Sequence, residues 1–329
     1  MLRWGILSTA KIAREQIIPA HLAAADNCIT AIASRDPSRA QAVADRFQIK
    51  HVEPDYDALL LSDQVDAVYI PLPTSQHIEW SIKAANAGKH VLVEKPLALK
   101  ASDIEPVQAA ATANNVVVAE AFMVHYHPQW QQVRQWLADG AIGRLRHVHG
   151  AFSYFNRDPQ NMRNKPELGG GGIPDIGVYP TVTARLVTGL EPLKVRAEVE
   201  FDADFGTDCY ANIQYKFADF DMSFYVSTTM ALHQSMRFHG EAGYIQVDAP
   251  FNPGIYGDPV ISLWNQNHTH LETKRYSAVN QYQLQAEAFA SAVSSGDASG
   301  LFSLADSIAN QKALDAIFSS NDAGQWVDV

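Results

Sequence analysis

Two textures divide the chain. From residue 2 to about residue 122, short and almost continuously apolar runs alternate with stretches of helical period. Residues 2–7 form an apolar run, followed by small side chains and then by a helical spacing through Ile12, Ile17 and Leu22, which reads as strand, tight turn, helix. A second strand is predicted over 28–34, after which Asp36 and Pro37 start a helix carrying Ala40, Val43, Ala44 and Phe47. The alternation continues through 49–52, 56–61, 67–72, 78–87, 91–93, 104–113 and 116–119. Apolar strands separated by helices are what a parallel sheet covered on both faces requires, so residues 1–122 are expected to form a doubly wound α/β domain.

Beyond that point the period changes. Helices are predicted over 128–137 and 178–188, and from Leu193 a period of two takes over. Val195, Ala197, Val199 and Phe201 alternate with polar neighbours, as do Ala211, Ile213 and Tyr215, and further strands are expected over 220–228, 236–238 and 244–247. Helices over 281–295 and 304–318 close the chain, and 251–258, rich in Pro and Gly, is a loop. Residues 123–329 are therefore expected to be a second, α+β domain with a large, mainly antiparallel open sheet.

Composition narrows the classes of function. With 329 residues, 47% of them hydrophobic, the chain is long enough for two cores. A formal charge of -11, with no basic run, argues against nucleic acid or an anionic membrane as a partner. Cys28 and Cys209 are the only cysteines and lack metal-ligand spacing; His125 and His127 offer two nitrogens without a third ligand, so no metal site is expected. No apolar window reaches the length of a membrane span, and a cytoplasmic location is expected.

Candidate chemistry sits where a doubly wound fold places it. The first strand-to-helix turn is Ser8-Thr9-Ala10-Lys11-Ile12-Ala13, with small side chains at the three positions where a dinucleotide fingerprint carries glycine. A helix N-terminus there supplies N–H groups to a pyrophosphate. After the second strand come Ser34 and Arg35, with Arg39 one turn on, a hydroxyl and two planar cations suited to a 2′-phosphate. NADP is favoured; Asp36 is an acid that could hold the ribose instead, which keeps NAD open.

The carboxyl ends of the later strands carry Pro71-Leu72-Pro73-Thr74 with His77 just beyond, Glu94-Lys95-Pro96, and Glu120-Ala121-Phe122. A charged pair at the end of the apolar run 91–93 is a costly way to leave an interior unless it has work to do. In the second half, ELGGGGIPDIGVYP bares the backbone over four glycines and sets Asp175 and Tyr179 four apart on one helix face. Phe155 and Arg163 are further candidates for contact with substrate, and His77 is open between a ligand role and a capping or core role.

WGILSTAKIA, ASRD, PTSQHIEWSIKAANAGKHVLVEKPLA, EAFM and GGGGIPDIGVYP, in that order, resemble the Gfo/Idh/MocA family of nicotinamide-dependent sugar and polyol oxidoreductases. The Tyr form of the last motif is similar to the branch with NADP-dependent D-xylose 1-dehydrogenases, trans-dihydrodiol dehydrogenases and glucose-fructose oxidoreductase. The resemblance implies a Rossmann domain, Lys95 as a catalytic lysine, Tyr179 as the acid/base residue, Asp175 in the substrate site, Pro96 in a cis bond, and a homodimer paired through the second domain's sheet. It implies a small-molecule sugar, polyol or dihydrodiol substrate. Two other functions stay open: a non-catalytic NAD(P)-binding regulatory protein and an NAD-dependent glycosidase.

Overall fold

The computed structural model describes residues 1–329, and the chain divides into two compact units. The first contains six parallel strands: β1 (Leu2–Leu7), β2 (Asn27–Ala33), β3 (His51–Glu53), β4 (Ala67–Ile70), β5 (His90–Val93) and β6 (Val118–Glu120). Their order in the sheet is β3-β2-β1-β4-β5-β6. The direction of winding reverses between β1 and β4, which is the switch point of a Rossmann fold. Helices α1 (Ile18–Ala23), α2 (Pro37–Phe47), α3 (Tyr56–Leu61), α4 (His77–Asn86) and α5 (Glu105–Ala113) lie in the connections.

Local chemistry sets these boundaries. Asp36 and Asp55 cap α2 and α3 through their carboxylates, Pro37 occupies the first position of α2, and Gln48 ends that helix in the left-handed region. Leu7, Leu59, Val68, Ile70, Val91, Val93 and Val107 are among the side chains that fill the core of this unit.

The second unit is built on nine strands: β7 (Leu145–Phe155), β8 (Lys194–Phe201), β9 (Asp208–Lys216), β10 (Asp221–Ser227), β11 (Thr229–Gly240), β12 (Gly243–Val247), β13 (Val260–Asn265), β14 (His270–Arg275) and β15 (Val327–Asp328). The order is β14-β13-β12-β11-β7-β10-β9-β8-β15, antiparallel throughout except that β7 and β10 run parallel. Helices α6 (Pro128–Ala138) and α7 (Val178–Thr188) belong to this unit. α7 sits down on the sheet because β7 is bare at Gly150, where a Cβ would meet Met236 Sδ at 2.7 Å and Pro180 Cβ at 3.4 Å.

Three features differ from the sequence reading. The longest part of the central ladder, β7 against β11, uses a strand that the periodicity does not announce, and β13 and β14 are likewise additional. Helix α8 (Gln281–Ser295) and the start of α9 (Leu304–Ala323) belong to the first unit, which comprises 1–123 together with 280–308 rather than 1–122 alone. There Phe289 lies 5.1 Å from Trp4 and Phe302 lies 4.9 Å from Phe122, ring centre to ring centre. Both cysteines are free and half-buried. No helix is long and apolar enough to cross a membrane.

Candidate nucleotide and substrate sites

In the first unit the turn after β1 keeps a glycine conformation on a serine. Ser8 has φ +113°, its N–H donates to Ala33 O at 2.8 Å, and its Oγ accepts from Ala10 N at 3.0 Å. A non-glycine residue in that region is costly and persists only where its surroundings hold it. Arg14 Nε donates to Thr9 O at 3.0 Å, bracing the turn from the following helix. Lys11 is exposed, 3.9 Å from Glu15.

At the end of β2, Asp36 turns its carboxylate into its own helix. Oδ1 accepts from Ser38 N at 3.0 Å, Ser38 Oγ at 2.6 Å and Arg39 N at 3.3 Å, and Arg39 Nε stands 3.4 Å from Oδ2. The Ser38 hydroxyl, ahead of the backbone donors, holds the Asp36 carboxyl below its usual range. Ser34 is buried and accepts from Asp36 N at 3.2 Å, while Arg35 and Arg39 remain exposed.

The strand ends at β4, β5 and β6 are knotted together. Tyr69 is buried and its hydroxyl donates to Glu94. Lys95 follows directly, and the Lys95–Pro96 bond is cis. Leu72 puts its side chain into the core, so any contact of Leu72 with a cofactor is a backbone contact. His77 is a correction to the ligand expectation: the imidazole is 1% exposed and faces Pro96 O and Leu72 O, each at 2.8 Å, so the chain's own backbone occupies it. Burial pushes its pKa down to about 4, against the two carbonyls, which raise it.

In the second unit the glycine run is explained by two close approaches. A Cβ at Gly170 would lie 2.4 Å from Arg163 O, and one at Gly171, where φ is +136°, would lie 1.9 Å from Asp208 Oδ1. Asp208, 4% exposed, accepts the N–H of Ile173 at 2.5 Å through Oδ2. It thereby fixes the start of the wide helical turn Ile173–Gly177 that leads into α7. Burial, partly opposed by these N–H groups, raises the Asp208 carboxyl to about 7.

Asp175 and Tyr179 project from that turn and from α7. Two donors share one oxygen of Asp175: Tyr154 Oη at 2.6 Å and Arg163 Nε at 2.8 Å from Oδ2. Burial first, and then Asp175, push the Tyr154 phenol up, so it stays a donor; Asp175 holds Arg163 firmly cationic. Tyr179 is 4% exposed and backed by Phe152 and Phe251, 5.7 and 5.5 Å away between ring centres. Phe155 ends β7 and is 68% exposed. No group of three or more His, Cys, Asp or Glu is placed to hold a metal ion. Tyr154 is among the polar residues that sequence reasoning offers as lining a sugar, whereas Asp208 is not singled out there; the one signal for Asp208 is an acid opening a strand.

The oxidoreductase family model with an NAD-binding Rossmann fold matches residues 2–122, and the Gfo/Idh/MocA C-terminal domain model matches 130–246. The chain belongs to the Gfo/Idh/MocA oxidoreductase family. This Gfo/Idh/MocA chain is 38% identical to an uncharacterised oxidoreductase of Rhizobium meliloti, with 100% of this chain and 99% of that protein covered. It is 32% identical to an NADP-dependent D-xylose 1-dehydrogenase of Haloferax volcanii over the whole of both chains. The crystal structure of KijD10, a 3-ketoreductase from Actinomadura kijaniata with NADP and TDP-benzene, superposes with a TM-score of 0.90 at 33% identity, covering 97% of each chain. As a member of this family the chain is an NAD(P)-dependent oxidoreductase, and the Rossmann and mixed-sheet architecture matches the sequence expectation.

Proposed function

We propose that this chain transfers a hydride between NADP and a hydroxyl-bearing carbon of a sugar, polyol or dihydrodiol, with Lys95 and Tyr179 as the proton-transfer pair. The observation that carries the reading is the sheet order β3-β2-β1-β4-β5-β6, which sets Lys95 at the carboxyl edge, two strands from the first nucleotide turn. The D-xylose 1-dehydrogenase relative, whose name states both NADP and a sugar, supports it, as does KijD10, a 3-ketoreductase whose structure holds NADP.

The residues present fit the cofactor. Ser8 to Ile12 would hold the pyrophosphate on the helix start, and Ser34, Arg35 and Arg39 the 2′-phosphate. Asp36 is committed to the first turn of α2, which leaves the ribose end without a free acid and favours NADP over NAD. The bound cofactor would accept the hydride as NADP+ or supply it as NADPH.

The protein's share is proton handling and orientation. A phenol with a free pKa near 10 is a poor base at neutral pH, and a neighbouring ammonium favours its ionised form. Lys95 supplies that ammonium in this reading and also donates to the reacting oxygen as negative charge grows on it. Phe152 and Phe251 pack on the Tyr179 ring, and the low dielectric there disfavours an unpaired phenolate while strengthening the pull of a neighbouring ammonium on it. Arg163 and Tyr154 hold Asp175 in place to accept from a substrate hydroxyl.

A spectrophotometric screen of NADP and NAD against xylose, glucose, other aldoses and trans-dihydrodiols tests the class directly. NADPH formation with one of these compounds is expected, abolished in Lys95→Ala and strongly reduced in Tyr179→Phe. Cofactor binding without turnover of any of them, or full turnover in Lys95→Ala, overturns the reading.

A further inference from the structure

One peptide group, that between Pro96 and Leu97, is gripped at both ends. Its carbonyl oxygen lies 2.8 Å from His77 Nδ1, and its N–H donates to Glu120 Oε1 at 2.8 Å. Both holders are buried, His77 1% and Glu120 3% exposed. They come from different parts of the sheet edge: His77 opens α4 after β4, and Glu120 ends β6. The second ring nitrogen of His77 faces Leu72 O at 2.8 Å, and through His77 and Glu120 the connections after β4, β5 and β6 meet at a single peptide plane one residue beyond Lys95.

We propose that His77 and Glu120 are positioning residues for Lys95: by holding that plane from its two edges they fix the direction in which the lysine side chain leaves the strand. The inference rests on the reading of Lys95 as the proton-transfer group. The neutral imidazole carries one N–H, and in the tautomer that places it on Nδ1 it donates to Pro96 O; rotation of the plane then breaks a hydrogen bond at each end inside a buried region, where an unpaired donor or acceptor is costly. A group that acts on a transition state loses on the order of 10²-fold in rate for about 1 Å of misplacement, so a clamp of this kind is worth having at Lys95. What Glu120 must supply is an acceptor for Leu97 N–H; the amide oxygen of a glutamine serves as well as a carboxylate oxygen.

The test uses the full-length enzyme with its best substrate from the screen. Glu120→Ala and His77→Phe are expected to lower kcat on the order of 10²-fold, with NADP affinity by fluorescence within about threefold of wild type. Glu120→Gln, which keeps the acceptor, is expected to restore kcat to within about fivefold of wild type. Glu120→Asp, with its acceptor drawn back by one methylene, gives the same direction as Glu120→Ala and replaces it if that variant does not fold. Wild-type kcat in Glu120→Ala or Glu120→Asp together with His77→Phe overturns the inference. So does a loss of NADP binding that matches the loss of kcat, the mark of a merely structural role. Lys95→Ala, measured alongside, separates the two readings: turnover there removes the catalytic lysine, whereas a dead Lys95→Ala beside fully active clamp variants removes only the clamp.

Discussion

Ile173 gives its backbone N–H to Asp208, 35 residues away, at 2.5 Å. The bond anchors the turn that carries Asp175, and its acceptor is a carboxyl whose burial raises it to about 7. A carboxyl raised on folding stabilises the native state while protonated, and that contribution is lost as pH climbs from the unfolded value near 3.8 through about 7. Asp208→Asn removes the titration. Its melting temperature relative to wild type is therefore expected to be higher at pH 8 than at pH 5. The comparison must be a difference, because His21 and His127, pushed down by burial to about 3 and about 4, act in the opposite sense below pH 6.5. A difference independent of pH would sink the assignment.

Gly171 is the second holder of the same turn. Gly171→Ala sets a Cβ against Asp208 Oδ1 at a φ of +136°, where L side chains rarely sit. A loss of at least about 3 kcal/mol is expected, read by thermal or urea unfolding, whereas Gly172→Ala, whose Cβ would find 3.3 Å, costs less.

Arg35 and Arg39 bear on cofactor choice. Arg35→Ala is expected to raise KM for NADP by roughly tenfold and to leave KM for NAD nearly unchanged, since a charged hydrogen bond to phosphate contributes about 1.5–3 kcal/mol. Steady-state kinetics with both cofactors decide it. Asp36→Ala should destabilise α2 through loss of its cap, without improving NAD.

Tyr154 and Arg163 share Asp175 Oδ2, so their effects should not add. A double-mutant cycle on kcat/KM with Tyr154→Phe and Arg163→Met is expected to give a coupling of about 1 kcal/mol. The partial exposure of Arg163 keeps the single Arg163→Met loss below that of a fully buried ion pair. Strict additivity would mean that the two donors do not act through Asp175.

Much of this was legible in the sequence. Strong periodicity fixed the doubly wound half, and Glu94-Lys95-Pro96 and the glycine run marked the chemistry. β7 hid because both of its faces are partly covered: Ala151 and Ser153 are as buried as Val148 and Phe152, and Gly150 breaks the hydrophobic count, so no clean period of two survives. His77 could be read as a ligand because its partners, Leu72 O and Pro96 O, are backbone atoms that no side-chain pattern announces. Asp208 shows locally only as an acid opening a strand, since its meaning comes from a glycine more than thirty residues earlier.

The return of 280–308 to the first unit carries a consequence for how the chain matures. Trp4 and Phe122 find Phe289 and Phe302 only after residues 124–279 have also left the ribosome. A nascent chain halted near residue 123 shows those aromatic rings to solvent and invites chaperones, and a plasmid encoding 1–123 alone should yield inclusion bodies, whereas a fusion that appends 280–308 through a flexible tether should rescue solubility.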